Sequence, residues 1–198
     1  FGVLDIDVKK LDIDYMGTAL HKWLSGPIAG GMLFIRKNRI AETWPLASAM
    51  IPASTRISKM EEMSIQLLPS QLALGHAILF HMQLTREVKE ARLRYLRNQW
   101  TSVLQLENKI QFTVSLEEKY CAAIAAFTMN TIAPLELEKI LFEKYASHVV
   151  AFHWPNMSGV RITPNLYTPL KQIHLFVQAM KEILANPSST NSSFYTKN

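Results

Sequence analysis

The sequence predicts an α/β chain in two parts joined by a long helical connector. Three observations carry this. Residues 13–19 and 32–35 are short apolar runs on either side of a turn-rich stretch, and they read as strands. Two helical patterns then follow almost without a break from Pro69 to residue 107. From Lys109 the pattern changes to short strand-like runs interleaved with two further helical segments, a small α+β unit.

Taken in order, residues 5–12 predict one helical turn. Residues 13–19 and 32–35 predict two buried strands. Residues 41–66 show no clean period and contain Pro45 and Pro52, which predicts a long loop of functional or interface type. Pro69 suits the first turn of a helix running to about residue 84. Thr85 is placed to cap a second helix, in which Leu93, Leu96, Trp100 and Val103 repeat at the helical period.

Beyond the connector, Ile110, Phe112 and Val114 alternate as in a half-buried strand. Residues 121–129 read as a buried strand, with Cys121 as a buried structural thiol. Pro134 opens a helix carrying Leu137, Ile140 and Leu141. Residues 149–152 and 159–163 read as two more strands. Thr168-Pro169 caps a last helix with Ile173, Val177, Met180 and Leu184 on one face. The tail from Pro187, rich in Ser, Thr and Asn, predicts disorder. The expected divisions are 1–84, a connector at 85–107, a small domain at 108–186, and the tail at 187–198.

Composition limits the function classes. Hydrophobic residues make up 48% of the 198 and charged residues 19%, which supports a folded core. The net charge of +5 is scattered, and its densest cluster, Arg36-Lys37-Asn38-Arg39, lacks interleaved aromatics, so there is no nucleic-acid footprint. The single cysteine rules out an internal disulfide or a multi-cysteine metal site. The six histidines show no metal-ligand spacing. No apolar run reaches the roughly 18 residues of a membrane span, and no signal peptide is visible, so the expected location is the cytoplasm. Phe1-Gly2-Val3-Leu4 is apolar and lacks an initiating Met, which predicts a chain cut within a domain.

The informative stretch runs from Asp12 to Arg36. His21-Lys22-Trp23 follows a strand directly, and Gly26-Pro27 with Gly30-Gly31 leads into the next one. An isolated His-Lys pair would read as a surface turn. The whole stretch resembles the lysine region of the class V aminotransferases. These are fold type I pyridoxal-phosphate (PLP) enzymes, including cysteine desulfurases, selenocysteine lyases and isopenicillin N epimerase-like proteins. A second match, Gly159-Val160-Arg161-Ile162-Thr163 running on to Ile173, is similar to the family's Val-Arg strand and final helix. A third, Glu87 to Leu96, is similar to its connector helix. Together they cover residues 1–186.

The resemblance implies that Lys22 forms the Schiff base with PLP, a task only a primary amine can do, and later shuttles the proton at the substrate α-carbon. It also implies burial or cationic neighbours that lower the Lys22 pKa. His21 would help hold the cofactor phosphate. Arg161 would grip the substrate α-carboxylate with its two-pronged donor set; the bland alternative is a surface arginine on an edge strand. The chain departs from the family pattern at three places. Ala19 stands where a phosphate-binding Ser or Thr is usual, with Thr18 adjacent as a substitute. Ala29 replaces a loop glycine. Ser64-Ile65 stands where Gly-Thr reaches the partner subunit's phosphate, and Ser64 would supply that hydroxyl.

The family's Asp for the pyridine nitrogen would lie upstream of Phe1. The resemblance therefore implies the carboxy-terminal part of a fold type I PLP-dependent transferase: the end of the large domain, the connector and the small domain. The expected protein is a homodimeric enzyme acting on an amino acid by lyase, epimerase or transaminase chemistry, with the isolated chain inactive. A cysteine desulfurase or selenocysteine lyase is one alternative, though residues 146–158 lack the expected cysteine. A non-catalytic relative serving as a dimerisation scaffold is the other, motivated by Ala19, Ala29 and Ile65.

Overall fold

Contacts divide the chain into two units, Phe1–Val88 and Lys89–Asn198. The computed structural model describes residues 1–28, 30–62 and 68–186. The expectations for Ala29, Ser64, Ile65 and the tail lie outside the described residues.

In the first unit the expected turn forms at residues 7–12. The Asp7 carboxylate accepts the amides of Lys9 (2.9 Å) and Lys10 (3.1 Å), and Leu11 N–H donates to the Asp7 carbonyl. The amides of Lys10 and Lys9 hold the Asp7 carboxyl below its usual range. Strand β1 (Tyr15–Ala19) pairs antiparallel with β2 (Gly31–Ile35), from Tyr15 opposite Ile35 to Ala19 opposite Gly31. The sequence reads both as buried, but they form a half-buried ribbon. Tyr15 and Leu33 are exposed, and within β2 only Ile35 is buried. A two-stranded ribbon can cover one face only, so alternate side chains stay in solvent.

Arg36 ties the ribbon to the preceding turn, pairing with Asp12 (2.6 Å) and Asp14 (2.8 Å). Arg39 pairs with Asp14 and Glu42, both at 3.3 Å, and the Asp14 charge raises the Arg39 pKa. Both arginines of the basic cluster therefore have carboxylate partners. Residues 41–62 are irregular apart from a 3-10 turn at Ile57–Met60, where the buried Lys59 ammonium donates to the Pro52 carbonyl (2.9 Å). Helix α1 (Leu68–Gln83) is apolar on several sides, yet Leu72, Leu79, Phe80 and Met82 are exposed. A helix hydrophobic on all sides is ordinarily a buried one.

Thr85 breaks the helical path with φ +55°, and its hydroxyl accepts the Val88 amide at 3.4 Å, the expected cap. Helix α2 (Arg86–Leu104) follows, and it buries Leu93, Leu96, Trp100 and Leu104. In the second unit, β3 (Ile110–Phe112), β4 (Ala125–Met129), β5 (Val150–Trp154) and β6 (Met157–Ile162) form an antiparallel sheet of order β3-β4-β6-β5. Helices α3 (Pro134–Tyr145) and α4 (Leu170–Ala185) complete it. The buried cluster comes wholly from this unit. Trp100 of α2 lies within 6.1 Å, ring to ring, of Phe112, Phe127 and Phe176. Phe127, Val160 and Ile162 point into that cluster. The alternate set, including Thr128, Gly159 and Arg161, lies on the opposite face.

Two expectations are corrected here. The strand read over 121–129 begins only at Ala125, and Cys121 is half-buried outside it. Arg94 of α2 donates to the Cys121 carbonyl and Arg97 to its thiol, which holds this segment to the helix and out of the ladder. Thr168 does not cap α4. Its hydroxyl accepts the Asn165 amide (3.0 Å), and Pro169 takes the cap position with no side-chain bond.

Candidate active site

The lysine stretch forms the loop between β1 and β2, and the loop is closed on itself by its own backbone. Leu20 N–H donates to the Gly30 carbonyl (2.9 Å), Gly26 N–H to Leu20 (2.9 Å), Ser25 N–H to Lys22 (3.1 Å) and Gly30 N–H to Pro27 (3.2 Å). Leu20 and Leu24 are buried and anchor the turn, while His21 and Lys22 between them are exposed. Among the described residues the Lys22 ammonium has no hydrogen-bond or ion-pair partner. The burial expected around it is not found among the described residues of this chain. His21 Nδ1 lies 3.4 Å from the Gly30 carbonyl. Its other ring nitrogen, Nε2, has no hydrogen-bond partner among the described residues. The Thr18 hydroxyl donates to the Ala19 carbonyl (3.4 Å). As neighbours on one strand, Thr18 and Ala19 present opposite faces.

Two glycines, Gly26 within the motif and Gly2 outside it, set this geometry. A Cβ on Gly26 would lie 2.7 Å from the Leu20 carbonyl oxygen. Gly2, buried at φ +81°, passes against the backbone of Trp23 and Leu24, where a Cβ would come within 3.0 Å. The Gly-Pro dipeptide signals the first. A lone glycine near the chain start signals nothing, so the second was not readable. Gly26→Ala is expected to cost about 1–3 kcal/mol, since backbone must shift to relieve the clash. Urea denaturation of the wild type and the variant checks this, and an unchanged midpoint would show that the turn is loose.

Arg161 lies on β6, an interior strand, between Ala126 of β4 and Val150 of β5. This is not the edge position of the bland alternative. Its neighbours Val160 and Ile162 are buried, while Arg161 is exposed on the other face. Among the described residues its guanidinium makes no hydrogen bond or ion pair. Thr18, His21 and Lys22 thus share one end of a hairpin in the first unit, and Arg161 stands on the sheet of the second. A shallow cavity of about 180 Å³, lined by residues that include Pro45, Leu46, Lys59 and Glu62, contains none of these four. Among the described residues no group of His, Cys, Asp or Glu is arranged to hold a metal, and no helix is long and apolar enough to cross a membrane.

No protein-family model matches the chain. Over 192 residues it is 20% identical to a hercynylcysteine sulfoxide lyase of Schizosaccharomyces pombe, covering 91% of this chain and 48% of that protein. Its structure is similar to the cysteine desulfurase of Thermococcus onnurineus NA1, with TM-score 0.80 and 20% identity over 93% of this chain and 50% of that one. It is also similar to a C-DES variant with glycine covalently linked to its PLP cofactor, with TM-score 0.72 and 17% identity over 89% and 48% of the two chains. The fold is that of the carboxy-terminal half of fold type I PLP enzymes. The chain spans about half the length of these proteins.

Proposed function

We propose that this chain is the carboxy-terminal part of a homodimeric PLP-dependent enzyme that acts on an amino acid. Residues 1–84 are the end of its large domain, 85–107 the connector and 108–186 the small domain. The observation that carries the reading is the structural match along almost the whole chain, with a free lysine amine at the turn after β1. The residues present suit the group. Lys22 offers an unengaged primary amine, and His21 offers a ring nitrogen with no internal partner. Thr18 offers a hydroxyl once it turns from Ala19. Ser64 is assigned the same role on sequence grounds.

When bound, PLP supplies an electron sink for charge at the substrate α-carbon. In this reading Lys22 anchors the cofactor and afterwards moves the α-proton. His21, Thr18 and Ser64 give hydrogen bonds to the phosphate, and Arg161 holds the substrate carboxylate. Carbon–sulfur lyase chemistry is the first to test among lyase, epimerase and transaminase reactions, because the S. pombe relative is named a sulfoxide lyase.

The test is borohydride reduction of the full-length protein with PLP, followed by peptide mapping. The expected result is a pyridoxyl group on the Lys22 peptide. An unmodified Lys22 peptide would favour the scaffold reading. The exposed apolar side chains of α1 give an expectation about assembly. At micromolar concentration this chain should sediment as a dimer or larger species, and a clean monomer, for chain and full-length protein alike, would count against the homodimer.

A further inference from the structure

The face of the second unit's sheet opposite the buried cluster carries more than Arg161. The β5–β6 register puts Val150 opposite Arg161, Phe152 opposite Gly159 and Trp154 opposite Met157. Residues facing each other across a ladder share a face, so Phe152, Trp154 and Arg161 all stand on this one. The Phe152 and Trp154 rings are 5.0 Å apart and tilted by 44°. The Phe152 ring leans across β6. Its tip would lie 3.2 Å from a Cβ at position 159, and the same Cβ would be 2.6 Å from the Phe127 carbonyl oxygen. Only glycine leaves that space open, so Gly159 lets the aromatic ring lie over the strand two residues from Arg161. Trp154 is 56% exposed, so the pair is open to solvent on its Trp154 side.

We infer that Phe152 and Trp154 form the side-chain subsite for the carboxylate ligand held by Arg161, and that this ligand carries a flat aromatic side group. This rests on the carboxylate role proposed for Arg161 and adds the substrate class. The guanidinium fixes one end by charge-assisted hydrogen bonds. The tilted ring pair offers π-faces to the other end, an arrangement that favours an aromatic ring over a saturated one of equal size. Phe152 and Trp154 are specificity residues and take no part in bond making.

The test needs no cofactor. 3-Phenylpropionate and 3-cyclohexylpropionate, alike in size and charge but one flat and one puckered, are titrated against this chain by ligand-observed NMR. The wild type is expected to bind the phenyl acid about two- to tenfold more tightly, although simple hydrophobicity ranks the cyclohexyl acid higher. Phe152→Leu and Trp154→Leu should each erase that preference while leaving the cyclohexyl affinity nearly unchanged. Arg161→Gln should weaken both acids alike. If the wild type shows no phenyl preference while Arg161→Gln still weakens both, the aromatic subsite is wrong and the carboxylate role stands. If Arg161→Gln changes neither affinity, or neither acid binds, the carboxylate role fails and the subsite fails with it.

Discussion

Replacing Lys22 with arginine in the full-length protein is expected to lower turnover at least about a thousandfold, the scale on which enzymes depend on a covalent anchor and proton-transfer group. Arginine keeps the positive charge and nearly the same length, but its guanidinium stays protonated and cannot replace the amine. The fold should be indifferent. Lys22 is exposed, and its ammonium has no partner among the described residues, so the denaturation midpoint should move by no more than about 0.5 kcal/mol in stability. Turnover, borohydride labelling and urea unfolding are measured on the same two proteins. Turnover within tenfold of wild type would remove Lys22 from the chemistry, whatever the fold resembles.

The second large effect is expected at Arg161. Arg161→Lys keeps the charge but loses the planar two-pronged donor, so amino-acid binding should weaken by about 2–4 kcal/mol, or roughly 30- to 1,000-fold in catalytic efficiency. Cofactor attachment at Lys22 should be untouched. An arginine that merely decorates the sheet gives the opposite pattern, normal kinetics with a slight loss of stability. Comparing kcat/KM, cofactor absorbance and unfolding for this variant separates the two. Its exposed position on an interior strand, among the small neighbours Ala126 and Val150, suits a guanidinium kept for a ligand.

Much of the fold was legible because the signals are local. Pro134 and Leu137, Ile140 and Leu141 mark α3 by a ring that suits a first turn and a period that suits a buried stripe. The Thr85 break was readable for the same reason. Errors arose where a distant group took over a local preference. Cys121 lies in an apolar run that reads as strand, but two arginines of α2, more than twenty residues earlier, bind its carbonyl and thiol. Thr168 has the right residue type for a cap, but its hydroxyl is held by Asn165. The candidate site divides in the same way. The His-Lys turn and the Arg161 strand stand out as motifs, whereas Gly2 gives no sign in sequence of its packing against the lysine turn.

By itself the sequence determined the order and type of the elements, the PLP-enzyme resemblance, and Lys22 and Arg161 as the residues to test. These rest on residue type, spacing and periods of two or 3.6, all written along the chain. The tertiary structure alone decided that β1 and β2 are a half-buried ribbon, that Arg161 stands on an interior strand facing away from the core, and that Gly159 makes room for the Phe152 ring beside it. Each of those depends on which strand pairs with which and in what register. A shift of one residue would turn every side chain to the other face, and no local pattern records that choice.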